Sequence, residues 1–174
     1  LRKERKSAAK GETAYTPATS LFAALGAALE FVRGMGKGDL AKGREELVNN
    51  AEVCAEMTRA GAKALGLNLY ASKPAAALTA ISSPEGIDSG KIVKEFRESF
   101  DAVVANGQGE MKGKLFRIAH IGYYDYLDTI GILGALEHVL ARVTDKDVQY
   151  GAAVRAAQEV YARTQSEKRQ LVNA

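Results

Sequence analysis

The chain has 174 residues, 47% of them hydrophobic and 26% charged, with a formal net charge of +3; this is the profile of a folded domain and excludes a disordered or collagen-like chain. At this length roughly 70% of the unfolded surface can be buried, so no disulfide or metal staple is needed, and the single cysteine, Cys54, fits a reducing, cytoplasmic setting. No apolar run approaches the ~18 residues of a membrane span, and the start lacks the apolar segment of a secretory signal.

Residues Leu1 to Lys10 carry Arg2, Lys3, Arg5, Lys6 and Lys10 against Glu4, so the rest of the chain is nearly neutral. Such an arm can touch phosphate, but it has no aromatic residue on which a base could stack. A solvated linker or exposed helix is expected there, opening no recognisable element, and no nucleic-acid partner is expected. A start at Leu1 in so charged a segment reads as a piece of a longer polypeptide.

Thr16-Pro17 predicts a helix start, with Thr16 as N-cap and Pro17 in the first helical position. Leu21, Leu25, Ala28 and Val32 follow at helical spacing until Gly34 and Gly36. A longer helix is expected from about Asp39 to a Gly66 C-cap, with Leu40, Leu47, Ala51, Cys54, Thr58 and Leu65 on one stripe. Cys54 then reads as a small core residue, because no histidine or other base accompanies it. Leu67 to Ala71 and Ala77 to Ser82 read as strands, followed by a turn at Ser83-Pro84-Glu85-Gly86. Asp88 can cap a helix with the stripe Val93, Phe96, Phe100 and Val103, ending at Asn106-Gly107. The loop Gly107-Gln108-Gly109 leads into a strand from Lys114 to Ile121. Asp125 and Asp128 form a capping pair for a helix carrying Ile132, Leu136, Val139 and Val143. The tail from Asp145, with Tyr150, Val154, Ala157 and Tyr161, reads as one more amphipathic helix. Short strands gathered between helices predict an α+β fold, with a small, mainly antiparallel sheet covered by helices on one face.

Arg117 is the most informative residue. Strand alternation sets it beside Leu115, Ala119 and Ile121, opposite Phe116, Ile118 and His120. Both faces are largely apolar, so its permanent charge must find an anion. An internal carboxylate and a substrate carboxylate gripped by the planar fork both satisfy that requirement, and the residues alone leave the two open. Tyr15-Thr16-Pro17 is a second candidate, since hydroxyls at a helix start suit a phosphate, although most N-cap threonines only cap. Gly107-Gln108-Gly109 lacks nucleotide-loop spacing and reads as a turn. His120 and His138 stand far apart without ligand-spaced neighbours, so no zinc site is expected and His120 reads as a satisfied strand histidine.

Together, Thr13-Ala14-Tyr15-Thr16-Pro17-Ala18-Thr19-Ser20-Leu21-Phe22, Ala105-Asn106-Gly107-Gln108-Gly109 and Gly113-Lys114-Leu115-Phe116-Arg117-Ile118-Ala119-His120-Ile121-Gly122 resemble the C-terminal part of class V aminotransferases. These are pyridoxal-phosphate enzymes of fold type I, and the serine-pyruvate and alanine-glyoxylate aminotransferases are the most similar in these segments. The resemblance covers roughly Lys10 to Val143. It implies a connecting segment over 1–16, the small C-terminal domain with its connecting helix over 17–143, and a helical extension over 144–174. It further implies that Arg117 binds the α-carboxylate of a small amino-acid or oxo-acid substrate, and that Tyr15 or Thr16 reaches the cofactor phosphate of the neighbouring subunit in a homodimer. The lysine that would form the Schiff base lies upstream in such enzymes, so no catalytic residue is assigned here and the chain alone is expected to be inactive. The competing expectation is a stand-alone, non-catalytic α+β binding or regulatory module that keeps the carboxylate-binding arginine.

Overall fold

The computed structural model describes residues 2–144 and 147–172. By contact the chain divides into two compact units, one reaching to Leu47 and the other starting at Val48.

The first unit holds α1 (Arg2–Ala8), α2 (Thr19–Met35) and the beginning of α3 (Leu40–Ala64). The basic arm is therefore a short helix, and every residue in it but Ser7 is exposed. The start of α2 differs from the expected one. The Pro17 carbonyl accepts the Thr19 N–H at 2.9 Å across Ala18, whose φ of −77° and ψ of 70° are those of an inverse γ-turn. Helical geometry begins only after that turn, so Thr16 does not cap α2; Ala18 holds the N-cap position, with no side-chain bond. The γ-turn at Ala18 interposes a non-helical residue between Pro17 and the first helical turn. Helix α3 starts as expected, with Asp39 Oδ1 accepting the N–H groups of Ala41 and Lys42 at 2.8 and 3.2 Å.

In the second unit α3 ends at Gly66, whose φ of +72° lets the Leu67 N–H return to the Ala62 carbonyl at 3.0 Å. The sheet orders β1 (Leu78–Ser82), β3 (Leu115–Ala119) and β2 (Ala105–Asn106) with β3 in the middle, and both pairings are antiparallel. Leu67 to Ala71 is not a full strand. Only Leu69 bridges to Ile81, through bonds from Tyr70 N–H to Ala80 O and from Ser82 N–H to Asn68 O. Helix α4 (Ser89–Phe100) is capped by Asp88, which accepts the Gly90 N–H at 2.6 Å. It stops at Asp101, in left-handed conformation at φ +51°, and not at Asn106-Gly107. Val103 therefore leaves the helical stripe, and Ala105–Asn106 is free to pair as β2.

Helix α5 (Tyr126–Val143) opens with the expected capping box, in which Asp125 accepts from Leu127 and Asp128 while Asp128 Oδ2 accepts from the Asp125 N–H. The last helix, α6, spans Ala152–Val172; Asp145, the expected start of the tail helix, lies outside the described residues, and Tyr150 precedes α6. The α6 start is held by Glu137 of α5, which accepts the N–H groups of Gly151 and Ala153 at 2.7 and 2.8 Å. The core lies on one face of the sheet, where Ile81, Phe116 and Ile118 meet Met57 of α3, Ile92 and Phe96 of α4, and Leu133 and Leu136 of α5. Cys54 is buried in the same unit. This is the α+β arrangement that the order of elements predicts.

Candidate functional site

Alternation along β3 decides where Arg117 lies. Phe116 and Ile118 turn inward and are buried, whereas Arg117 is half-buried and Ala119 exposed on the opposite face. The register sets Arg117 between Ala80 of β1 and Ala105 of β2, and methyl groups this small leave room for a long side chain. Arg117 lines a recess of about 240 Å³ together with Leu78, Val103, Val104, Ala105 and Ala119.

Two donors of Arg117 are already engaged. Nε and Nη2 both donate to the Asn106 carbonyl, at 3.2 and 2.8 Å. Among the described residues no carboxylate lies within ion-pair distance of it. A carbonyl carries no net charge, so the positive charge is solvated by a dipole and not neutralised.

The residue that supplies this carbonyl is itself fixed. Asn106 Oδ1 accepts from Ser89 Oγ at 2.7 Å, from the Gly107 N–H at 2.8 Å and from the Gly113 N–H at 3.4 Å. The glycine-rich loop closes round that amide group, and only glycine fits at its two ends. A Cβ on Gly107 would stand 1.9 Å from the Met111 carbonyl oxygen, and Gly113 has a φ of +79°.

Tyr15 and Thr16 belong to the first unit and Arg117 to the second. Tyr15 is 72% exposed, with Lys3 Nζ 4.1 Å from its ring centroid. Thr16 is exposed on a non-helical segment, so its hydroxyl is not committed to capping.

His120 departs from the expected satisfied histidine. It lies just beyond the end of β3 and is 1% exposed, with its Nε2 paired to Thr79 Oγ1 at 3.0 Å and its Nδ1 without a partner among the described residues. Burial, aided by the charge of Arg59, pushes its pKa down to about 4. Burial also pushes the phenol of the neighbouring Tyr124 up to about 12 and raises the Cys54 thiol. These groups stay neutral in the physiological range and are inert as acids or bases there. Asn106, whose carbonyl holds Arg117, had the least signal in the sequence, where Asn-Gly reads only as a helix stop.

No protein-family model matches the chain. It is 38% identical over 162 residues to the soluble hydrogenase small subunit of Synechococcus sp. (strain PCC 6716), covering 92% of this chain and 40% of that one. It is 33% identical over 153 residues to the L-aspartate–glyoxylate aminotransferase of Paracoccus denitrificans, covering 86% and 37%. Among solved structures, the subgroup IV aspartate aminotransferase of Thermus thermophilus superposes with a TM-score of 0.67 at 30% identity, covering 83% of this chain and 39% of that one. The chain spans about two fifths of the length of the curated relatives it matches.

Proposed function

We propose, on the premise that the chain belongs to the class V aminotransferases of fold type I, that it is the C-terminal part of a transaminase dependent on pyridoxal phosphate. The parent would move an amino group between a small amino acid, of the serine, alanine or aspartate type, and glyoxylate or pyruvate. The observation that carries this reading is the Arg117 guanidinium, a fixed cation beside an apolar recess with no carboxylate among the described residues to neutralise it. An anion brought by substrate supplies what the fold withholds.

Arg117 contributes by orientation. Holding the α-carboxylate with two parallel hydrogen bonds restricts rotation of the substrate about its Cα, which fixes the bond to be broken relative to the cofactor plane. Pyridoxal phosphate, when bound, supplies the electron sink for that cleavage. The exposed side chains of Tyr15, with Lys3 Nζ over its ring, and of Thr16 carry hydroxyl donors of the kind a phosphate takes. We assign them to the cofactor phosphate of a second subunit in a homodimer. No lysine of this chain is assigned the covalent attachment, so the chain alone is expected to bind the cofactor poorly. Borohydride reduction that fixed the cofactor to one of its lysines would overturn that expectation.

In the full-length polypeptide, Arg117→Lys keeps the charge but loses the planar fork, at a cost of about 2–4 kcal/mol in transition-state stabilisation. Steady-state kinetics should show kcat/KM falling roughly 30- to 1,000-fold, with little change in thermal unfolding. Near-normal kinetics together with a markedly lowered melting temperature would refute the carboxylate role. A second reading, a non-catalytic module that keeps this carboxylate site, is favoured by one observation: the described bonds that hold the Arg117 guanidinium all come from this chain. Absence of transaminase activity from the full-length polypeptide, with carboxylate binding retained, would select it.

A further inference from the structure

The glycine-rich loop has no role in the reading above, yet it encloses the residue on which the Arg117 guanidinium rests. We infer that Asn106 is a positioning residue for Arg117, and that together with Ser89 it decides which edge of the guanidinium a substrate carboxylate meets. The inference rests on the proposal that Arg117 takes that carboxylate.

A guanidinium offers two forked edges, the side formed by Nε–H with one Nη2–H, and the end formed by Nη1 and Nη2. In this structure the side edge is filled, because the Asn106 carbonyl takes both Nε and Nη2 at 3.2 and 2.8 Å. The donors without a partner among the described residues are those of the end edge. A carboxylate entering the recess is therefore received end-on by Nη1 and Nη2, while the side edge serves as the mount.

The mount is stiff because the amide of Asn106 is tied on three sides. Ser89 Oγ–H reaches Oδ1 at 2.7 Å from the first residue of α4, and Ser89 is itself fully buried. The N–H groups of Gly107 and Gly113 approach the same oxygen from the two ends of the loop. The Gly107 N–H also bonds Leu115 O of β3 at 2.9 Å, and the Ser89 N–H bonds Gly113 O at 2.9 Å. The position of the carbonyl that holds Arg117 is thus set by α4, by the loop and by β3 together. Three donors on Oδ1 also fix which way the amide faces. The glycines matter because a side chain at Gly107 would collide with the Met111 carbonyl and open the loop.

The test uses the full-length polypeptide labelled with ¹⁵N, observing the side-chain resonances of Arg117 by NMR, with pyruvate as the probe and Asn106→Ala and Ser89→Ala as variants. In the parent chain the Arg117 Nε–H should exchange slowly with water, and pyruvate should move the Nη signals more than the Nε signal. Each variant should speed Nε–H exchange at least tenfold and weaken pyruvate binding by a similar factor; Ser89→Ala, which deletes one hydroxyl, guards against a failure of Asn106→Ala to fold. Variants that lose thermal stability while Nε–H exchange and pyruvate affinity stay at parent values would overturn the positioning role and leave the carboxylate reading intact. A dominant shift at Nε would overturn the end-on geometry. Arg117 signals indifferent to pyruvate would instead sink the carboxylate reading, and the positioning role with it.

Discussion

Replacing Glu137 by alanine removes a side chain that is 3% exposed and has both carboxylate oxygens in use. The two bonds are unequal in what their loss costs. Ala153 is fully buried, so its N–H has no water to turn to, and losing a charge-assisted bond there costs about 2–3 kcal/mol. Gly151 is only half-buried, and water replaces much of what its N–H loses. Proximity of the carboxylate to the positive end of the α6 dipole adds a few tenths of a kcal/mol. The total is about 3 kcal/mol, which at this chain length lowers the melting temperature by ~6–12 °C. Glu137→Gln keeps one acceptor, which can serve Ala153, and should lose only about 1 kcal/mol. Thermal unfolding followed by circular dichroism, with hydrogen exchange at the Ala153 amide, measures both variants. If Glu137→Ala unfolds within ~1 kcal/mol of the parent and the Ala153 amide stays protected, the α6 start is not held in this way.

Three further outcomes are expected. The folded protein keeps His120 neutral down to about pH 4, whereas an unfolded chain protonates it near 6.5; the unfolded state therefore binds the extra proton in that window, and about 3 kcal/mol of stability present above pH 6.5 is lost as the pH falls to 4. Urea unfolding of the parent and of His120→Asn across that range should show the parent losing more, and equal slopes would contradict the assignment. Asp125→Ala breaks the reciprocal cap of α5 and should cost about 1 kcal/mol, read as a shift in the urea midpoint at unchanged slope. Cys54, buried with a raised thiol pKa, should resist iodoacetamide in the native protein and react fully in denaturant, as mass spectrometry would show; rapid native labelling would contradict its core placement.

What could be read in the sequence was the set of features whose physics is local. Asp88 and Asp125 declare their helices because the acceptor and the N–H groups it serves lie within three residues, and Gly66 ends α3 through its own backbone freedom. Arg117 stood out because a permanent charge within an apolar strand is costly wherever the strand lies. Thr16 misled because its hydroxyl and the proline after it both favour a helix starting at Pro17, but the γ-turn at Ala18 moves the start to Thr19. Leu67 to Ala71 has strand composition, yet only Leu69 bridges to β1, and the extent of a pairing is not encoded in composition. Glu137 and Asn106 were invisible because their partners lie across the fold. One serves amides fourteen and sixteen residues away, and the other holds an arginine eleven residues away.

The two sides of β3 are under separate chemical control. A change at Phe116 or Ile118 is felt by the packed helices, whereas a change at Ala119 or Ala105 alters the lining of the recess beside Arg117. Because consecutive residues answer to different demands, the lining beside Arg117 can change without disturbing the packed face of the strand. On the proposed carboxylate role of Arg117, exchanging Ala105 or Ala119 for valine or serine is accordingly the direct way to reshape the space beside the guanidinium.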